Sequence, residues 1–175
     1  MNTIYIISQI FGTLSFVISL IAYHRKKKKK IFQTMMVANI LDILHYLFLG
    51  AYSGCITKVI ALIRNEIIII KEKNKKLNNN IVLICLFGIY LIAGIITYKN
   101  IYSVLPILAA IIYLYFVWSG DELKVKKVAF GCYFLWLMYN IFVFSIAGIV
   151  SNIISIISTF IAMRNQLKIN CEVNK

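Results

Sequence analysis

Long apolar runs, each broken by a short polar or lysine-rich stretch, set the rhythm of this chain. The first extends from about Thr3 to Tyr23 and stops at HRKKKKK, His24 to Lys30. At 1.5 Å per residue, about 20 apolar residues cross the hydrocarbon core of a bilayer, so such a run predicts one membrane-spanning helix. Six more follow, at about Ile31 to Ala51, Cys55 to Ile70, Ile81 to Tyr98, Ile101 to Trp118, Val128 to Ile146 and Val150 to Met163. The expected breaks are a glycine turn from Gly50 to Gly54 that includes Tyr52-Ser53-Gly54, the stretch KEKNKK, the loop SGDELKVKK and a turn at Ala147-Gly148. A polar tail, expected to fray, follows Met163. In the first run Ser8, Gly12, Ser15 and Ser19 form a stripe of small residues that lets another helix approach closely. The fourth run carries no charge and reads as a spacer, and the fifth holds Pro106 one turn from its start.

Shifting the chain by 94 residues without a gap aligns Leu14 with Leu108, Ile18 with Ile112, Leu20 with Leu114, Leu41 with Leu135, Phe48 with Phe142, Ile60 with Ile154, Ile63 with Ile157 and Ile67 with Ile161. Apolar identities are cheap in so biased a composition, but the loop lysines Lys30 and Lys124 and the glycines Gly54 and Gly148 coincide as well. Two three-helix units in the same orientation need one extra crossing between them, because three is odd. The predicted fold is therefore all-α: a polytopic membrane protein with seven transmembrane helices in a 3+1+3 plan of parallel three-helix repeats, the SWEET-like arrangement, whose sites lie near the midplane between repeats. Residues 1–76 form the first repeat, 77–99 the linker helix, 100–170 the second repeat and 171–175 a tail.

Composition agrees with this picture. With 61% hydrophobic residue types and a mean hydropathy of +0.85 over 175 residues, the chain is too apolar for an ordinary soluble domain, where about half the residues are apolar. The net charge of +13 does not point to nucleic acid, because the lysines fall in short runs between spans and no soluble fold is left to carry a basic groove. With the N-terminus outside and the C-terminus cytoplasmic, all but three of the nineteen lysines and arginines face the cytoplasm. The exceptions are Lys99, which faces out, and Lys58 and Arg64, which lie within a helix. Topology accounts for the lysine run; recruitment of anionic lipid is the alternative reading. The positive cluster follows the first apolar run instead of preceding it, so that run is expected to be a permanent span and not a cleaved signal peptide. Cys55, Cys85, Cys132 and Cys171 stand far apart, without a CxxC pair, and read as small packing residues.

Candidate chemistry concentrates on four helices. Asn39, Asp42, His45 and Tyr46 share one face of the second helix, and the repeat places Tyr133, Trp136, Tyr139 and Asn140 on the matching face of the sixth. Lys58, Ala61 and Asn65 form a stripe on the third helix, matched by Asn152, Ser155 and Thr159 on the seventh. Asp42 and Arg64 both fall near the bilayer middle, where an unpaired charge costs about 2.5–3.5 kcal/mol, so an Asp42–Arg64 ion pair is expected. Glu66 lies about 200° around the helix from Arg64, nearer the cytoplasmic surface. Three readings compete for this cluster. It is a buried pair that fixes helix register, or a solute site in which Arg64 or Lys58 meets an anionic or carbonyl group against Trp136, Tyr139 and Tyr133, or a proton relay through Asp42 and His45. No HExxH, GxSxG, P-loop or CxxC motif is present, so neither an enzyme, nor a cofactor, nor a metal site is expected.

The segments HYLFLGAYSG and ALIRNEI, and VLPILAAI followed by LWLMYNIFVFSIAG, resemble the YgjV-type bacterial inner membrane protein family, which is grouped with the PQ-loop and SWEET-like carriers. The resemblance covers about Gly12 to Met163, with Gly50, Tyr52, Arg64, Pro106, Asn140 and Gly148 matching the family pattern. It implies a seven-helix protein of the bacterial cytoplasmic membrane and assigns no substrate. The Pro-Gln pair that names the wider group is missing: Gly12 stands where the fifth helix has Pro106, which argues against hinges that work alike in both halves. Two functions are expected in order. The first is a carrier of a small polar solute working by alternating access, with Asn39, Asp42, His45, Tyr46, Lys58, Arg64, Asn65, Trp136, Tyr139, Asn140 and Asn152 at its site. The second is a non-transporting scaffold or accessory subunit. The expected partners are the lipid bilayer, a small-molecule solute and, as an open possibility, further copies of the chain.

Overall fold

The computed structural model describes residues 2–23, 28–71, 79–119 and 122–173. Among them are seven α-helices: α1 (Thr3–Tyr23), α2 (Lys28–Phe48), α3 (Tyr52–Lys71), α4 (Asn80–Ile96), α5 (Val104–Ser119), α6 (Glu122–Phe142) and α7 (Ile146–Val173), with a 3-10 turn at Ile101–Ser103 leading into α5. Four of the predicted spans are long and apolar enough to cross a membrane by themselves: Thr3–Ala22, Lys29–Phe48, Ile101–Trp118 and Ile146–Arg164. Asn80–Ile96 and Lys127–Phe142 are apolar but shorter. α3 differs because it carries Lys58, Arg64 and Glu66 within its length. Most of the predicted KEKNKK stretch, residues 24–27 of the lysine run, residues 120 and 121 of the following loop and the last two residues lie outside the described part.

Several helix ends differ from the sequence reading. α2 and α6 start at Lys28 and Glu122, three and six residues before the apolar runs, since lysine and glutamate are good helix formers. α7 continues to Val173 instead of stopping at Met163, because neither proline nor glycine follows to end it.

The turns also move. Tyr52, Ser53 and Gly54 are not a turn but the first residues of α3, and Ala147 and Gly148 likewise belong to α7. α2 closes instead on Gly50, with φ +72°, where Gly50 N–H donates to Leu47 C=O and Ala51 N–H to Tyr46 C=O at 3.1 and 2.9 Å. α6 closes in the same way on Phe144, with φ 54°, where Phe144 N–H donates to Ile141 C=O and Ser145 N–H to Asn140 C=O. Both are left-handed C-terminal caps, and their residues correspond under the 94-residue shift.

Within the first three helices, α1 packs along α2 and α2 along α3; within the last three, α5 packs along α6 and α6 along α7. Matching contacts recur 94 residues on. Ser15 Oγ donates to Ala38 C=O at 2.9 Å between α1 and α2, and Cys132 Sγ donates to Ala109 C=O at 3.3 Å between α6 and α5. The two groups of helices meet where α1 packs on α7 and α3 packs on α5. The small-residue stripe of α1 serves these approaches: Ser8 and Ser15 are fully buried, and a Cβ on Gly12 would sit 2.9 Å from both Ala147 Cβ and His45 Nδ1. α4 lies outside this junction, burying Leu86, Tyr90 and Ala93 against Ile60 of α3 and Ile107, Ala110 and Leu114 of α5. Its other face is bare isoleucine and leucine, with Ile95 78% exposed, as suits a helix turned to lipid.

Candidate functional site

A cavity of about 210 Å³ opens between the helices, lined by side chains of α1, α2, α3, α5, α6 and α7 and by none of α4. It receives Asn39, Asp42, His45 and Tyr46 from α2, Lys58, Arg64 and Asn65 from α3, Trp136 from α6 and Asn152 from α7. Nine of the eleven expected site residues thus face one space, together with Ala61, Tyr133 and Ser155 of the same helical stripes. Tyr139 and Asn140 do not line it. Both are buried at its end, where α6 turns their side chains toward the α2–α3 hairpin.

The charged groups are arranged differently from the sequence expectation. Asp42 pairs with Lys58, Oδ2 to Nζ at 2.7 Å, and not with Arg64. In an antiparallel hairpin the residues at one level have numbers of constant sum, and the centre of the turn sets that sum. Because the turn is at Leu49–Ala51 and not at Gly50–Gly54, Lys58 stands level with Asp42 and Arg64 is roughly 9 Å further along. Lys58 also lies over the Trp136 ring, 4.7 Å from its centroid. Both members of the pair are partly open to the cavity, at 22% and 18% exposure.

Arg64 is 8% exposed. Its guanidinium donates through Nε and Nη2 to Asn65 Oδ1 at 3.2 and 3.0 Å and stacks over Tyr113, 5.1 Å from the ring centroid. Two of its five N–H groups are thereby used, both on a neutral amide. The salt bridge that faces the cavity is that of Asp42 and Lys58. Glu66 is exposed, on the other side of the helix.

One end of the cavity is closed by hydrogen bonds between the two groups of helices. Tyr46 Oη donates to Asn140 Oδ1 at 3.0 Å, joining positions 94 residues apart. Tyr139 Oη accepts from Ser53 Oγ at 2.9 Å and from Gly54 N–H at 3.0 Å. Its counterpart His45 is held at both ring nitrogens: Nδ1 lies 2.7 Å from Ser8 C=O and Nε2 2.7 Å from Ser145 Oγ. The carbonyl requires a proton on Nδ1; in the neutral ring Nε2 then accepts from Ser145, whose Oγ in turn accepts from Gly148 N–H at 3.0 Å. Gln9 Oε1 accepts from Ala147 N–H at 2.9 Å and completes the closure. Here both ring nitrogens of His45 are bonded. Beyond this closure lies a second recess of about 200 Å³, lined by residues including Ser53, Tyr139, Thr97, Lys99 and Asn100.

The sequence reading did not single out Ser8, Ser53 and Ser145 as partners of the closure, nor Tyr113 as the ring beneath Arg64. Tyr113 was recoverable, because the 94-residue shift carries the α1 stripe residue Ser19 onto it. Serine in a membrane helix gives no such signal, since it packs as a small residue and bonds its own backbone equally well.

Among proteins of known family, a family model described as a bacterial inner membrane protein, Imp-YgjV, matches residues 6–168. No curated protein and no solved structure matches the chain.

Proposed function

Since the chain belongs to the Imp-YgjV family of bacterial inner membrane proteins, we propose that it is a carrier of a small polar solute. In this reading α1–α3 and α5–α7 are two three-helix halves that rock about a shared cavity, and α4 links them across the bilayer. The observation that carries the proposal is the cavity itself. An ion pair, an arginine and several amides line a space of about 210 Å³ drawn from six helices, where filling the space with apolar side chains would make a more stable bundle. The volume is below the ~300–1,000 Å³ of pockets that take drug-sized ligands, so the solute is small.

Alternating access needs a barrier that is thin and can be broken. The closure of Tyr46, Asn140, Tyr139, Ser53, His45 and Ser145 is one layer of side chains with a recess beyond it. In this reading the α2–α3 and α6–α7 turns are outside, as the asymmetry of the basic residues supports, and this form of the protein is sealed outward with its cavity toward the cytoplasm.

The test is accessibility. In a variant with all four cysteines replaced by alanine, Asn152→Cys should react with membrane-impermeant thiol reagents applied to either face of sealed vesicles. Reaction from one face alone, in protein of full helical content, would favour the scaffold reading.

A further inference from the structure

We infer that the solute is a small organic monocarboxylate, with Arg64 as its charge partner; the inference rests on the carrier reading above. Charge decides the class. Among the described residues, three ionisable side chains that carry full charge line the cavity, Asp42, Lys58 and Arg64, and the first two neutralise each other at 2.7 Å. The space is left with one positive charge, on a guanidinium 8% exposed whose hydrogen bonds go to Asn65 Oδ1. A cation in that position is costly unless something negative joins it. One positive charge matches one negative charge: a dianion would bring a second charge that no described group compensates, and a cation would meet repulsion. A zwitterion would need a free carboxylate for its ammonium group, and Asp42 is already taken by Lys58.

Shape narrows the class further. The planar fork of a guanidinium fits the two oxygens of a carboxylate, and three of its five N–H groups are not used on Asn65, the Tyr90 hydroxyl being the other polar neighbour within its reach. The rest of the wall includes Phe16, Ala61, Ala110 and Trp136, which suits a carbon skeleton better than a hydrated inorganic ion.

The experiment uses the full chain purified in detergent and follows its unfolding temperature against concentration, since a ligand of the folded state raises it. The probes are sodium lactate, pyruvate and benzoate, set against lactamide, benzamide and sodium chloride at equal ionic strength. At least one carboxylate should raise the midpoint saturably while its amide and chloride do not. Arg64→Gln should weaken that carboxylate roughly 10- to 100-fold, as loss of a charged hydrogen bond would. If Arg64→Gln is not recovered folded, Arg64→Lys decides, with a smaller but clear weakening expected from loss of the fork. Equal shifts by acid and amide, no shift by any carboxylate, or unchanged affinity in the Arg64 variants would each overturn the assignment. Carboxylate binding through Arg64 in a chain whose Asn152→Cys reacts from one face would overturn the carrier reading and leave the anion site standing. Amide binding with reaction from both faces would do the reverse.

Discussion

Gly50 and Phe144 hold the same left-handed place in two matching helix caps, and chemistry suits them unequally to it. Gly50 adopts φ +72° without steric penalty, whereas Phe144 holds φ 54° with its Cβ against the backbone and its ring 76% exposed. Phe144→Gly should therefore raise stability by about 0.5–1 kcal/mol, the relief of that conformation less the extra freedom glycine brings to the unfolded chain. A thermal melt of the detergent-purified variant checks this, and a lower midpoint would contradict it. Gly148 works in the opposite way. It is glycine for closeness, since a Cβ there would lie 2.5 Å from Asn140 Cγ and from Ser145 Oγ. Gly148→Ala should cost about 1–3 kcal/mol by the same melt, because both neighbours belong to the closure and have little room to shift. The sequence marked Gly148 through its repeat partner Gly54 but assigned both to turns, since a glycine letter does not distinguish a positive φ from a tight contact.

At the scale of the helix pair, the register of α2 against α3 determines which charges meet. The sequence named Asp42, Lys58 and Arg64 and put them at membrane depth, but a turn whose centre was misplaced by about two residues exchanged the partner. A double-mutant cycle of Asp42→Asn and Lys58→Met should give a coupling energy between the ~0–1 kcal/mol of exposed pairs and the ~3–5 kcal/mol lost on breaking a buried one, since each partner is about one-fifth exposed. The same cycle with Arg64→Gln in place of Lys58→Met should show coupling near zero, which the Asp42–Arg64 pairing would not allow. α4 stands apart from this chemistry. Its lack of charge was legible as a spacer, and the structure leaves it off the cavity wall, packed on α3 and α5 through Leu86, Tyr90 and Ala93.

For the whole molecule, what matters is how the two groups of helices meet. Tyr46 and Asn140, 94 residues apart, bond to each other across the closure, and removing that bond should loosen the end of the bundle. Tyr46→Phe strands the Asn140 side chain, whose Nδ2 already has no partner among the described residues, and should cost about 1–3 kcal/mol. If the closure is a gate, the same change should speed thiol labelling of Asn152→Cys from the outer face several-fold, measured in sealed vesicles. An unchanged rate would make the closure a structural seam. The single proline, Pro106, fully buried in α5 with Gly12 as its α1 counterpart, predicts that whatever motion occurs is unequal in the two halves.

The sequence alone determined the number of helices, their apolar character and the faces on which polar residues gather. Those follow from local periodicity and from the energy of keeping backbone and charge out of hydrocarbon, which act on each segment separately. The tertiary structure decided the rest: that Asp42 meets Lys58, that Arg64 is left among neutral partners, and that Tyr139 and Asn140 seal the cavity instead of lining it. Each of these depends on where a turn is made and how far one helix slides along another. A turn moved by two residues shifts the level partner by about four positions, roughly 6 Å along a helix, and so exchanges one polar partner for the next while leaving every hydrophobic pattern as it was.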